Sequence, residues 1–431
     1  MTPFSSAQPL LEITAAHKQG LAVGIPSICS AHPAVLDAAM QNPGTGTVLI
    51  EATCNQVNQL GGYTGMTPAD FARYVEGVAA RAGLDPRRIL LGGDHLGPNP
   101  WRVEPARSAL DKARQMVAAY VQAGFAKIHL DASMPCADDA SLPPEEIAAR
   151  AADLCAVAEG ARGEAAPVYV IGTEVPTPGG ARGTDTGHGL QVTSPADALE
   201  TIAIFQRAFR KRGLDAAWER VVALVVQPGV EFGDVDIHPY ERGAASGLSR
   251  AIEGLPGLVY EAHSTDYQTR AELRQLVQDH FAILKVGPGL TFAYREAVFA
   301  LAHIEEAWLG GDSGVALSGL FSAAEQTMLA DPRDWADYYH GTTGEQAFAR
   351  RYSLSDRMRY YWLREPLHSA VSRLFLNLEG RKPIPLALLS QYLPGEYARV
   401  REGRLENTPS ALARSRSQTV LEDYSTACAG P

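Results

Sequence analysis

Eight short apolar runs recur along the first three quarters of the chain, each followed by a longer amphipathic stretch. They fall at 21–31, 48–56, 89–97, 127–133, 168–176, 221–229, 258–266 and 282–290. The runs are near-continuous Val, Ile and Leu, the composition of parallel strands covered on both faces. The intervening stretches carry apolar residues at helical spacing, as in Phe71, Val75, Val78 and Ala79. Thr67-Pro68, Leu142-Pro143 and Ser194-Pro195 place proline at helix starts, where its missing N–H costs little. Eight strand–helix units in succession predict an α/β fold, a closed (β/α)8 TIM barrel over residues 1–311. A doubly wound sheet is the alternative, and the count of eight disfavours it.

Beyond residue 312 the alternation stops. The segments 356–378 and 383–403 read as helical, so 312–431 is expected to be an α-helical C-terminal extension packed on the barrel. The stretch 405–431, rich in Ser, Thr, Ala and Arg, is expected to be a mobile arm or a final short helix.

The chain has 431 residues, 46% of them hydrophobic, and a net charge of -11. That balance argues against nucleic acid and against an anionic membrane surface as partners. An anionic small molecule is still admissible, because helix N-termini and local basic groups hold phosphate on acidic proteins. Five scattered cysteines without CxxC spacing indicate reduced thiols rather than a disulfide frame. The first 20 residues lack the pattern of a signal peptide, and no apolar run is long enough to span a bilayer. A cytoplasmic protein is expected.

In such barrels the chemistry sits at the C-terminal ends of the strands. Glu51 and Asn55 end the second run, Asp94 and His95 the third, and Asp131 and Ser133 the fourth. Glu174 ends the fifth and Gln227 the sixth. His263, Ser264 and Asp266 end the seventh, and Lys285 and Gly287 the eighth. His95, Glu174, Gln227 and His263 stand at matching depth and form a mixed nitrogen and oxygen set for a divalent metal. Zinc suits it best, with manganese, cobalt, nickel or magnesium as alternatives. Asp94, Asp131 and Glu51 are the acid–base candidates. The plainer alternatives are that Asp94 orients a ligating histidine and that Asp131 caps a helix. His129 is expected to turn into the structure, deeper than Asp131. Phosphate or substrate contacts are expected from Asn55, Ser133, Ser264, Asp266, Lys285 and the N–H of Gly287, with Arg357 and Arg359 reaching in from the extension. The Gly-rich segment 173–189 is expected to act as a lid.

The motifs GIPSICSAHPAVLDAA, LIEATCNQVNQLGGYTGM, LGGDHLGPNPW, IHLDAS, GTEVPTPGG, VQPGVEFG, EAHSTDYQ, LKVGPGLTFA and SDRMRYYW together resemble the GatZ/KbaZ family of tagatose-bisphosphate aldolase subunits. That family is similar in turn to the metal-dependent class II aldolases. The likeness implies a base at Asp94, a metal ligand at His95, further polar groups at Asp131 and Ser133, and metal-side groups at Glu174 and His263. On strand 6, where an aldolase-like pattern expects a histidine, this chain has Gln227. The resemblance implies a metal-dependent 4-epimerase interconverting tagatose 6-phosphate and fructose 6-phosphate by retro-aldol chemistry. Its alternatives are a non-catalytic subunit that stabilises a separate tagatose-bisphosphate aldolase, and an epimerase of a free ketose or uronate. Expected partners are a ketose phosphate, the aldolase catalytic subunit and further copies of the chain. A kinase reading lacks the phosphate loop G-x-x-x-x-G-K-[ST].

Overall fold

The structure is a computed structural model that describes every residue except 1–2, 42–43, 45, 173–189, 382 and 431. The strands are β1 (Ile25–Cys29), β2 (Val48–Thr53), β3 (Ile89–Leu96), β4 (Lys127–Leu130), β5 (Val168–Ile171), β6 (Val221–Val226), β7 (Glu231–Phe232), β8 (Ile237–His238), β9 (Val259–Ala262) and β10 (Phe281–Val286). Eight of them close into a parallel barrel in the order β1-β10-β9-β6-β5-β4-β3-β2, while β7 and β8 form a small antiparallel hairpin after β6. β1 pairs with β2 on one side and β10 on the other, which completes the ring.

The helices are α1 (Gln8–Lys18), α2 (Pro33–Gln41), α3 (Pro68–Ala82), α4 (Ala106–Gln122), α5 (Pro144–Ala161), α6 (Pro195–Lys211), α7 (Asp215–Trp218), α8 (Arg242–Glu253), α9 (Arg270–Gln278) and α10 (Pro288–Leu309). The extension adds α11 (Leu320–Ala330), α12 (Thr343–Tyr352), α13 (Leu367–Glu379), α14 (Leu386–Tyr392), α15 (Pro394–Arg401) and α16 (Pro409–Cys428). The proline-marked starts hold. Thr67 caps α3 with a reciprocal capping box to Asp70, and Ser194 caps α6. Ala7 and Leu10, at and inside the start of α1, pack with Ile25, Leu49, Leu90, Val168 and Ile283 and close one end of the barrel.

The last helix departs from expectation. The stretch expected to be an arm or a short helix is a 20-residue helix, α16, with Leu421, Tyr424, Ala427 and Cys428 buried in the barrel's own core. It packs against α9, α10, α2 and β1. Small residues on α16, among them Ala411, Ala413, Ser415 and Ser417, are buried at these contacts. It therefore fills the gap between the helix after the seventh barrel strand and the helix after the first. Its opening residues Leu412 and Ala413 belong to a second core, built from α10 and the helices of the extension.

The extension is pinned to the barrel by buried polar contacts. Arg295 on α10 pairs with Asp356 at 2.7 Å, both essentially unexposed. Asp234, in the turn between β7 and β8, accepts from Ser353 Oγ at 2.7 Å, and its carbonyl accepts from Leu354 N–H at 2.9 Å. These ties hold the 3₁₀ turn Arg357–Tyr360 beside the strand ends. No helix of the described residues is long and apolar enough to cross a membrane.

Candidate metal centre and the cavity above it

A cavity of about 550 Å³ opens at the C-terminal ends of the strands. That is the size range of small-ligand sites. Cys29, Asn55, Asp94, His95, His263, Ser264, Asp266, Lys285, Gly287 and Arg359 line it, together with Tyr63, Tyr360 and Arg364. Adjacent residues of a regular strand face opposite sides, yet Asp94 and His95 both line this cavity. The cause is local. The pairing of β3 with β4 shifts register between Gly93 and Leu96, and His95 takes a left-handed backbone with φ 50. A non-glycine residue held there is strained, and such strain is concentrated at functional sites. Two glycines make the kink sterically feasible. A Cβ on Gly97 would fall 1.5 Å from the Asp131 carbonyl oxygen, and one on Gly92 would meet Glu51 at 2.7 Å.

Three imidazoles converge: the ring centres of His95 and His263 are 4.9 Å apart, those of His95 and His129 5.0 Å, and those of His129 and His263 5.4 Å. Asp94, His95, His129 and His263 each offer a ligand atom within 4.8 Å of the others. Each ring has one nitrogen engaged. His95 Nδ1 faces Asp131 Oδ2 at 2.9 Å, and His263 Nε2 faces Glu261 Oε1 at 2.9 Å. His129 Nδ1 faces Asp94 Oδ1 at 3.0 Å, while His129 Nε2 is buried with no hydrogen-bond partner. Carboxylates that fix the outer nitrogen of a histidine are the usual support of a metal-ligating ring. The donor set fits a borderline ion such as zinc.

The charge beneath the cluster fits as well. Lys127 is wholly buried between Glu51 at 2.5 Å and Glu261 at 2.7 Å. Lys285 bridges Glu51 at 2.6 Å and Asp94 at 2.7 Å. Glu51, Asp94 and Glu261 face these two ammonium groups and Asp131 faces His95, so among the described residues carboxylates outnumber ammonium groups around the cluster, as suits a cation. Burial opposes ionisation of Asp94, but His95 and Lys285 outweigh it and hold the carboxyl well below its usual range. Burial likewise opposes charge on His95, and Asp94 and Asp131 raise it nonetheless. His263 is pushed down to about 3, chiefly by burial.

The structure sorts the expected residues. Asp94, His95 and His263 meet, and Asn55, Ser264, Asp266 and Arg359 line the same cavity. His129, expected to turn into the structure deeper than Asp131, is wholly buried, and there it stands with Asp94, His95 and His263 as a fourth potential ligand, a role its sequence position did not assign. Glu174 and the expected lid lie outside the described residues. Gln227 stands apart, because its Oε1 accepts the N–H groups of Gly229 and Val230 and closes a turn. Glu51 is not at the mouth but beneath it, held by the two lysines. Asp131 pairs with His95, and Ser133 Oγ donates to Asp131 at 2.6 Å. Lys285 lines the cavity, and its ammonium pairs with Glu51 and Asp94. Gly287 N–H is taken by Asp266 Oδ1 at 2.9 Å. Arg357 is buried against the Tyr338 ring, its guanidinium carbon 3.1 Å from the ring centre, and does not line the cavity. Cys29, Tyr63 and Tyr360, which line it, carried no sequence signal of their own.

The chain is similar to several known proteins. The family model described as D-tagatose-1,6-bisphosphate aldolase subunit GatZ/KbaZ-like matches residues 10–429. The chain is 49% identical over 423 residues to the D-tagatose-1,6-bisphosphate aldolase subunit GatZ of Escherichia coli O7:K1, covering 97% of this chain and 99% of that one. A solved structure of a probable tagatose 6 phosphate kinase from Sinorhizobium meliloti 1021 superposes with a TM-score of 0.86 at 50% identity, over 94% of this chain and 100% of that one. Fructose-bisphosphate aldolase of Campylobacter jejuni is a distant match, 14% identical with a TM-score of 0.45, over 88% of this chain and 94% of that one.

Proposed function

The chain belongs to the D-tagatose-1,6-bisphosphate aldolase subunit GatZ/KbaZ-like family, and from that premise we propose that it works beside a separate aldolase chain in tagatose 1,6-bisphosphate metabolism, with a metal-dependent sugar-phosphate site of its own. The name of the Escherichia coli relative supports the subunit role. The observation that carries the second half is His129 Nε2, buried and unpartnered among two further imidazoles. A bare scaffold has no use for an unsatisfied polar atom buried among imidazoles, since such atoms cost about 1–3 kcal/mol each. The kinase name of the Sinorhizobium neighbour is not supported here, because the sequence lacks the phosphate-cradling loop.

The convergence of Asp94 on the histidines favours one specific activity, interconversion of tagatose 6-phosphate and fructose 6-phosphate at C4. His95, His129 and His263 would hold a divalent ion, and such an ion would supply Lewis acidity toward a ketose carbonyl. Asp94, kept ionised by Lys285, stands in the cavity to take the proton of the C4 hydroxyl. As it leaves, C4–O becomes an aldehyde carbonyl, C3–C4 breaks, and the bond's electron pair passes into an enediolate over C2 and C3. Rotation of the aldehyde half and re-addition to its other face invert C4, and Asp94 returns the proton. Asn55 and Ser264 offer hydrogen bonds to sugar hydroxyls, and Arg359 offers a cation for the phosphate. The cytoplasm, where such sugar phosphates are handled, is the compartment that fits this role.

The test has two arms. Co-expression with a tagatose-bisphosphate aldolase catalytic chain should give a complex that lengthens that aldolase's active lifetime; no complex removes the subunit role. The purified chain with zinc, manganese, cobalt or nickel should convert one ketose phosphate into the other; no conversion with any of them removes the epimerase.

A further inference from the structure

Barrels often bind phosphate at the N-terminus of the helix that follows the last strand, using backbone N–H groups and the helix dipole. Here that helix is α10, which opens on Gly287-Pro288-Gly289 against the cavity. Its N–H groups are already in use. Asp266 Oδ1 accepts from Gly287 at 2.9 Å and from Gly289 at 2.7 Å. Asp266 is 3% exposed, and it lines the cavity. The carboxylate sits where a phosphate oxygen would sit. A side chain on Gly289 would strike it at 3.0 Å.

The cavity's cations tell the same story. Lys285 is bound by Glu51 and Asp94. Arg364 is bound by Asp331 and Asp334, each at 2.8 Å. Arg359 gives part of its guanidinium to the Ser355 and Asp356 carbonyls and to Tyr360 Oη, and among the described residues no carboxylate lies within ion-pair distance of it. Among the described residues that line the cavity, one guanidinium keeps donors to spare, which matches one phosphate. We propose that Asp266 is a specificity-determining residue that fills the anion site at the start of α10, so that the mouth accepts a ketose monophosphate and rejects a bisphosphate. This rests on the sugar-phosphate reading above and deepens it. It would divide labour in an assembly whose other chain handles the bisphosphate.

The test is calorimetric titration of the full chain, at fixed ionic strength, with inorganic phosphate, fructose 6-phosphate and fructose 1,6-bisphosphate. Asp266→Ala should free the N–H groups, and Asp266→Asn should remove the charge while its amide oxygen can still accept from them. About tenfold tighter binding of inorganic phosphate and of the bisphosphate is expected in Asp266→Ala, with a smaller gain in Asp266→Asn. Asp266→Asn still decides the matter if Asp266→Ala does not fold. Unchanged or weaker phosphate binding in the folded variants would overturn the proposal, as would a parent chain that binds bisphosphate as tightly as monophosphate. The inorganic phosphate arm stands even if no sugar phosphate binds, so failure of the functional reading is told apart from failure of this one.

Discussion

Lys285 Nζ lies 2.7 Å from Asp94 Oδ1 and so joins the cavity to the ion layer below it. Barrel interiors are normally filled with branched apolar residues. Here Lys127, Glu51 and Glu261 occupy that space with no exposure. Breaking a buried pair leaves an uncompensated charge and costs about 3–5 kcal/mol. Lys285→Met should lower stability by that order in urea titration. A loss below about 1 kcal/mol would mean that water reaches the layer.

Asp94→Asn keeps the shape of the residue and removes the proton acceptor. Ketose-phosphate interconversion should fall by about 10² to 10⁴, with thermal stability changed much less. Retention of the parent rate would remove Asp94 from the chemistry.

The outer bond from Asp131 to His95 predicts a supporting role for Asp131. Asp131→Asn should weaken metal binding about 10- to 100-fold, as loss of such partners does elsewhere. Metal content by mass spectrometry after dialysis against a weak chelator reads this. His129→Ala should do at least as much, whereas Gln227→Ala should leave metal content unchanged, because the Gln227 amide closes its own turn.

Asp266 has its pKa raised to about 6 by burial, against the opposing hydrogen bonds from Gly287 and Gly289. A pKa raised on folding contributes stability that is complete below the unfolded value of 3.8 and is lost as pH rises through about 6. The buried carboxylate therefore costs stability at neutral pH. Asp266→Asn should raise the melting temperature at pH 8 and change it little at pH 4. An equal shift at both pH values would place the effect outside this ionisation.

Tyr424 on α16 donates its hydroxyl to the Thr265 carbonyl at 2.7 Å, beside the strand end that carries His263. Tyr424→Phe should cost about 1 kcal/mol, the usual worth of one such bond. Tyr424→Ala should cost about 3–5 kcal/mol through the cavity it leaves. Equal costs for the two would show that the ring packing carries nothing.

The barrel was legible because its signal is repeated: eight apolar runs can be counted even where single boundaries are uncertain. Asp94 and His95 were legible as a pair, but the φ of 50 that turns both to one side was not, since it follows from contacts between β3 and its neighbours. Gln227 misled because strand position alone cannot show which way an amide turns once nearby N–H groups compete for it. The pairing of Lys285 with Glu51 and Asp94 was hidden for the same reason, since the three stand on different strands. The role of α16 was hidden by its composition: small and polar residues suit a tight groove as well as they suit an exposed tail.

That helix has a consequence for how the molecule is made. Gly24 N–H, just before β1, donates to the Cys428 carbonyl at 2.9 Å, and Arg274 on α9 clasps the carbonyls of Ala22, Ala427 and Ala429. The opening strand thus waits for the closing helix. A chain still on the ribosome has built every strand before it can cover the first, and a slot of apolar side chains between α9 and α2 stays open to other molecules until residues 409–428 emerge. Pausing of synthesis in that last stretch would hold the protein in its most adhesive state.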